Sequence, residues 1–133
     1  MSMINETIQE IAKQSHIDIS EISELKSLLT LVKQEASGIG LMISSERMLL
    51  MGVHLLAFMR RVTSGEKLPA MDSSLFAEIP PDMLALSSRI LEAYGLSGLS
   101  AKPDDTEIFL MAVHFETARK LQEEWEQGGH VHG

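Results

Sequence analysis

The sequence contains no cysteine in its 133 residues. That excludes disulfide frameworks, thiolate zinc sites and cysteine nucleophiles. Positive charge is scarce: eleven Lys and Arg stand against nineteen Asp and Glu, a formal net charge of −8 with His neutral. Affinity for nucleic-acid phosphates rests on clustered Lys and Arg, so direct nucleic-acid binding is not expected. The same imbalance disfavours adsorption to anionic membranes. No apolar run approaches the roughly 20 residues that span a bilayer. The longest, Met48 to Met59, is interrupted by His54 and followed by Arg60 and Arg61. Residues Met1 to Glu6 lack the basic region and apolar core of a signal peptide. The expectation is a cytoplasmic protein with no membrane partner.

Alternating strand patterns are also absent, and β-branched and aromatic residues are not enriched. What is present is helical periodicity. The apolar content of 44% is enough for a packed core, and the length suits one domain. We read residues 1–133 as a single domain. Its core runs from about 18 to 127, residues 1–17 form a short N-terminal helix and extension, and 128–133 form a flexible tail.

Ile4, Ile8 and Ile11 lie at helical spacing in a short, polar first helix, weak by itself. Asp18 followed by Glu21 fits a capping box. It opens a second helix with Ile22, Leu25, Leu28, Leu29 and Val32 on one face, fading near Ser37 to Gly40. The third, from about Ser44 to Thr63, is apolar on most of its circumference, the pattern of a central helix. Ser73 or Ser74 opens a short helix that Pro80 and Pro81 interrupt. Asp82 to Tyr94 forms the next, with Leu84, Ser87, Ile90 and Leu91 inward and Gly95 as C-cap. Asp104 with Glu107 repeats the capping-box pattern before a last helix that carries Met111, His114, Phe115, Ala118, Leu121 and Trp125 and frays at Gly128 and Gly129. The expected class is all-α, a bundle of five helices.

The chemistry rests on histidines. His16 lies in a linker, and His130 and His132 lie in the tail, where two imidazoles without a third fixed ligand make a poor metal site. His54 and His114 differ, because each is a titratable group interrupting an apolar helical stripe. The bland reading is a buried histidine satisfied by one hydrogen bond. No P-loop, no His-Glu-x-x-His and no complete Gly-x-Gly-x-x-Gly occurs. Six of the nine methionines (42, 48, 51, 59, 71 and 111) fall in or beside the two His-bearing helices, as adaptable core packing or as a plastic helix–helix interface.

Taken together, the two histidine segments resemble a known family. His54-Leu55-Leu56-Ala57-Phe58-Met59-Arg60-Arg61 is similar to the first histidine motif of the PTS regulation domain, or PRD: a His, an apolar run, then Arg. Pro103 to Phe115 is similar to the second, in which an acidic and an apolar residue open a helix that reaches His after a further apolar run. The 60 residues between the histidines suit it. The resemblance spans about Asp18 to Gln127. It implies a five-helix bundle that dimerises with its histidines near the interface. It further implies phosphorylation of His114 and His54 by the phosphocarrier protein HPr or by a sugar-specific EIIB component. A phosphoryl group adds close to two negative charges and strong acceptor oxygens, which an arginine must meet. Arg60, Arg61, Arg89 and Arg119 are the candidates. The chain has room for one PRD-sized unit and no effector domain, which implies a stand-alone regulator without catalytic residues, cofactor or metal. The alternative function is a small helical metal protein or enzyme using His54, His114 and a carboxylate such as Glu107. No Glu-x-x-His pattern supports it in either helix.

Overall fold

The computed structural model describes residues 3–95 and 103–126. Five α-helices and one 3₁₀ helix account for the regular structure: α1 (Met3–Gln14), α2 (Ile19–Gly38), α3 (Ser45–Ser64), the 3₁₀ turn (Ser73–Glu78), α4 (Pro81–Gly95) and α5 (Asp105–Glu124). There is no strand among the described residues.

The helix boundaries follow local chemistry. The Glu21 carboxylate accepts from the Asp18 backbone N–H at 3.1 Å, which fixes the entry to α2. The α2 C-terminus closes by a bond from Leu41 N–H to the Ala36 carbonyl, across Gly40 in the left-handed region at φ 73°. Ser44 caps α3 by accepting from Arg47 N–H at 3.1 Å, and Gly65 ends it at φ 78°. Gly95 is the last helical residue of α4, so its expected role as C-cap depends on residues outside those described. The fraying expected at Gly128 and Gly129 and the tail at 128–133 also lie outside them.

Helix α3 packs against α1, α2 and α5, as its broad apolar surface suggested, and α4 packs against α2 and α5. The core collects Leu25, Leu29 and Val32 from α2, Met48, Met51, Leu55 and Met59 from α3, Met83, Leu86 and Ile90 from α4, and Met111 and Phe115 from α5. Five methionines at its centre fit irregular gaps between helices from three directions.

Helix α1 is more firmly integrated than its length suggests. Ile4, Thr7, Ile8 and Ile11 are all buried. At the α1–α3 crossing, a side chain on Gly52 would meet Ile11 Cδ1 at 2.7 Å and Thr7 Cγ2 at 3.3 Å. A helix marginal in water is thus held by docking on α3 through a missing Cβ. The core therefore begins at residue 4, earlier than the sequence patterning places it.

Candidate functional site

Helices α3 and α5 run antiparallel and bring both sequence motifs together. Along α3, Arg47, His54 and Arg61 recur at intervals of seven residues; along α5, Glu107 and His114 do the same. Seven residues make about two turns, or roughly 10.5 Å, so each set lines one stripe. The stripes face each other. Arg61 meets Glu107 at one end, His54 and His114 meet in the middle, and Arg47 meets His114 at the other.

Glu107 is the hub. Its side chain is only 5% exposed. Arg61 donates Nε–H to Oε2 at 2.6 Å and an Nη2 hydrogen to Oε1 at 2.8 Å, a bidentate pair. His54 Nε2 lies 3.4 Å from Oε1. Burial raises the Glu107 carboxyl's pKa, but the Arg61 and His54 hydrogen bonds outweigh it, and the net result is about 2. An ionised carboxylate only accepts, so His54 donates from Nε2, and in the neutral ring Nδ1 carries the lone pair. His54 Nδ1 is buried without a hydrogen-bond partner.

The imidazoles of His54 and His114 have their centroids 5.6 Å apart, with planes tilted by 34°. Burial, His54 and the neighbouring Arg47 charge together push the His114 pKa down to about 4. His114 is therefore neutral and nucleophilic at physiological pH. Its Nδ1 faces Arg47 Nη1 at 3.3 Å.

The Asp104–Glu107 capping box read from the sequence is not formed. Asp104 is the N-cap of α5 but makes no side-chain cap bond, and Glu107 is turned inward to Arg61 and His54. The half-buried Arg61 guanidinium outcompetes a helix-end N–H for the carboxylate, because the charge-assisted bidentate pair is the stronger interaction.

A bundle of this architecture has a solved counterpart. A PRD-containing transcription regulator from Lactobacillus casei ATCC 334, solved at 1.38 Å, aligns with a TM-score of 0.71 at 22% sequence identity, covering 86% of this chain and 94% of that one. The fold is that of a PRD. No family model and no curated protein matches the sequence itself.

Within this PRD fold the four arginines named from sequence have separate placements. Arg61 lies in the histidine cluster through Glu107. Arg60, the adjacent residue, points the other way, binding Glu21 at 2.8 Å and the His16 carbonyl at 2.6 Å. Arg89 ties α4 to Glu35 of α2 at 3.0 Å. Arg119 binds Glu116 at 2.7 Å and Asp82 of α4 at 3.0 Å. Arg47 was not among the four, although its position seven residues before His54 is the signal that identifies it. His16 is exposed, 3.7 Å from Asp18, and His130 and His132 lie outside the described residues.

Among the described residues, no group of three or more His, Asp or Glu is arranged to hold a metal ion. No helix among them is long and apolar enough to cross a membrane. Beside the cluster, Leu50 and Val53 of α3 and Leu110 of α5 are 49%, 45% and 38% exposed. An apolar groove of about 410 Å³ lies at the Arg47 end, between Met42, Ile43, Ala118, Leu121 and Trp125.

Proposed function

We propose that this chain is a regulatory phosphoacceptor module of the bacterial sugar phosphotransferase system. HPr or a sugar-specific EIIB component phosphorylates it on His114 and on His54. The chain carries no catalytic residues of its own and regulates transcription or carbohydrate uptake through protein contacts, as a cytoplasmic homodimer.

The observation that carries this reading is the facing pair, His54 and His114, with a buried carboxylate on His54 and an arginine at each end of the cluster. The solved PRD-containing transcription regulator supports it through its fold and through its role in transcription. A neutral imidazole is a competent nucleophile, and the low pKa of His114 favours that state. A phosphoryl group placed between two helices would introduce close to two negative charges into a site whose buried carboxylate, Glu107, is already held by Arg61. Relief of that repulsion gives the charge a way to move α3 against α5. The exposed Leu50, Val53 and Leu110 beside the histidines offer a self-associating face, where a bias of a few kcal/mol shifts populations by orders of magnitude.

The test is incubation of the wild type, His54→Ala and His114→Ala with phosphoenolpyruvate, enzyme I, HPr and candidate EIIB proteins, read by intact mass under alkaline conditions. The expected result is a gain of phosphoryl mass in the wild type that His114→Ala and His54→Ala each lower by one group. No gain with any donor overturns the reading.

A further inference from the structure

We propose that Arg47 is the guanidinium that receives the phosphoryl group on His114, and that the accepting atom is Nδ1. This rests on the phosphoacceptor reading and adds to it the residue and the atom.

The sequence has five arginines. Four are neutralised: Arg60 by Glu21, Arg61 by Glu107, Arg89 by Glu35, and Arg119 by Asp82 and Glu116. Arg47 forms no ion pair among the described residues. Its Nη1 faces His114 Nδ1 at 3.3 Å, and its Nε is buried with no hydrogen-bond partner. A half-buried guanidinium with an unmet donor and only a ring nitrogen for company is a poor structural contact and a good anion receptor. It stands in the first turn of α3, after the Ser44 cap, where the helix dipole also favours negative charge.

The atom follows from hydrogen-bond inventory. A guanidinium has five N–H donors and no acceptor, so the nitrogen it faces must offer a lone pair. Neutral His114 accordingly carries its proton on Nε2, and its nucleophilic pair is on Nδ1. Arg47 also lines the apolar groove whose rim residues Met42, Leu121 and Trp125 are exposed.

The step balances as follows. The Nδ1 lone pair attacks phosphorus, and the Nδ1–P bond forms as the donor's P–N or P–S bond breaks. The departing donor atom keeps that bond's electrons and takes up a proton. The positive charge left on the His114 ring is relieved by loss of the Nε2 proton to water. Nδ1 then has no free pair for Arg47, whose Nη1 transfers to a phosphoryl oxygen while Nε gains its first partner. Arg61 is less suited, because leaving Glu107 would strand a buried carboxylate.

The test uses phosphoramidate, which transfers phosphoryl to histidine with loss of ammonia and needs no protein donor. Full-length wild type, Arg47→Gln and Arg47→Lys are followed by alkaline intact mass and by ³¹P and ¹⁵N NMR, with His114→Gln assigning the site. Expected are a wild-type phosphoryl group on His114 Nδ1, phosphorylation roughly tenfold slower in Arg47→Gln, a higher phosphoryl ionisation midpoint in that variant, and partial recovery in Arg47→Lys. The proposal is overturned by an Nε2 product, by a wild-type rate and midpoint in Arg47→Gln, or by refusal of His114 to react in the folded wild type. Modification by phosphoramidate with the expected Arg47 dependence, but by none of the phosphotransferase proteins, would support this proposal while overturning the donor assignment.

Discussion

Arg61 and Glu107 are joined by two parallel hydrogen bonds of 2.6 and 2.8 Å between α3 and α5, and the same carboxylate meets His54. This pair makes the cluster one unit. The carboxylate orients His54, Arg61 compensates the carboxylate, and both helices are held at the spacing that sets His54 against His114.

Glu107→Gln should therefore be costly. It leaves Arg61, only 20% exposed, without a counter-charge, and it removes the His54 acceptor's charge. Truncating one partner of a buried pair costs about 3–5 kcal/mol; with Arg61 partly solvated, a loss of about 2–3 kcal/mol is expected. Urea denaturation of wild type and variant at pH 7 measures it. Equal midpoints would show that the pair contributes nothing net.

The acid response has two windows with the same sign. His114 binds its proton in the unfolded chain near 6.5 but only near 4 when folded, so its stabilising contribution is complete above 6.5 and lost as pH falls toward 4. Glu107, at about 2 folded against 4.5 unfolded, contributes fully above 4.5 and loses its contribution as pH falls toward 2. Stability should decline in two stages on acidification. His114→Gln should remove the first and Glu107→Gln the second. ¹H NMR of the His114 ring should show a midpoint of about 4 in the folded wild type.

In the proposed self-association through the histidine face, Leu50 and Val53 would be the apolar anchors. Leu50→Asp and Val53→Asp change half-exposed positions, so the monomer's fold should be retained by circular dichroism. Sedimentation equilibrium should show dimer affinity reduced by at least tenfold, from charge left unpaired in an apolar contact. An unchanged affinity would move the interface to another face.

The Gly52 contact makes α1 sensitive to volume at one point. Gly52→Val would place side-chain atoms where Ile11 and Thr7 already lie, and overpacking of that kind costs about 1–3 kcal/mol. Hydrogen exchange should report loss of protection first in residues 4–14. Retained protection would mean that α1 shifts as a rigid body.

Much of the bundle was legible in the residues. Five helices, the Ser44 and Gly65 limits of α3 and the inward Ser87, Ile90 and Leu91 of α4 follow from periodicity and capping chemistry, whereas Met83 and Leu86 are the α4 residues buried in place of the expected Leu84, which is only partly covered. The motifs also placed attention on His54 and His114, because one titratable group in an apolar stripe stands out without any knowledge of its neighbours. Glu107 was misread as a cap for the opposite reason. Asp104 and Glu107 satisfy a local rule, and nothing local reveals that a guanidinium waits on another helix.

The arginines show the same division. Arg60 and Arg61 are sequence neighbours, about 100° apart around α3, so one reaches Glu21 and the other Glu107. Arg47 shares the His54 stripe seven residues earlier, but only the antiparallel crossing of α3 and α5 set it on His114. Spacing along one chain segment is enough to specify the helices, most of their apolar faces and the two histidines that interrupt them. The tertiary structure alone decided which charges meet, which histidine nitrogen is bare and which arginine lacks a carboxylate, because those depend on distances between segments far apart in the chain.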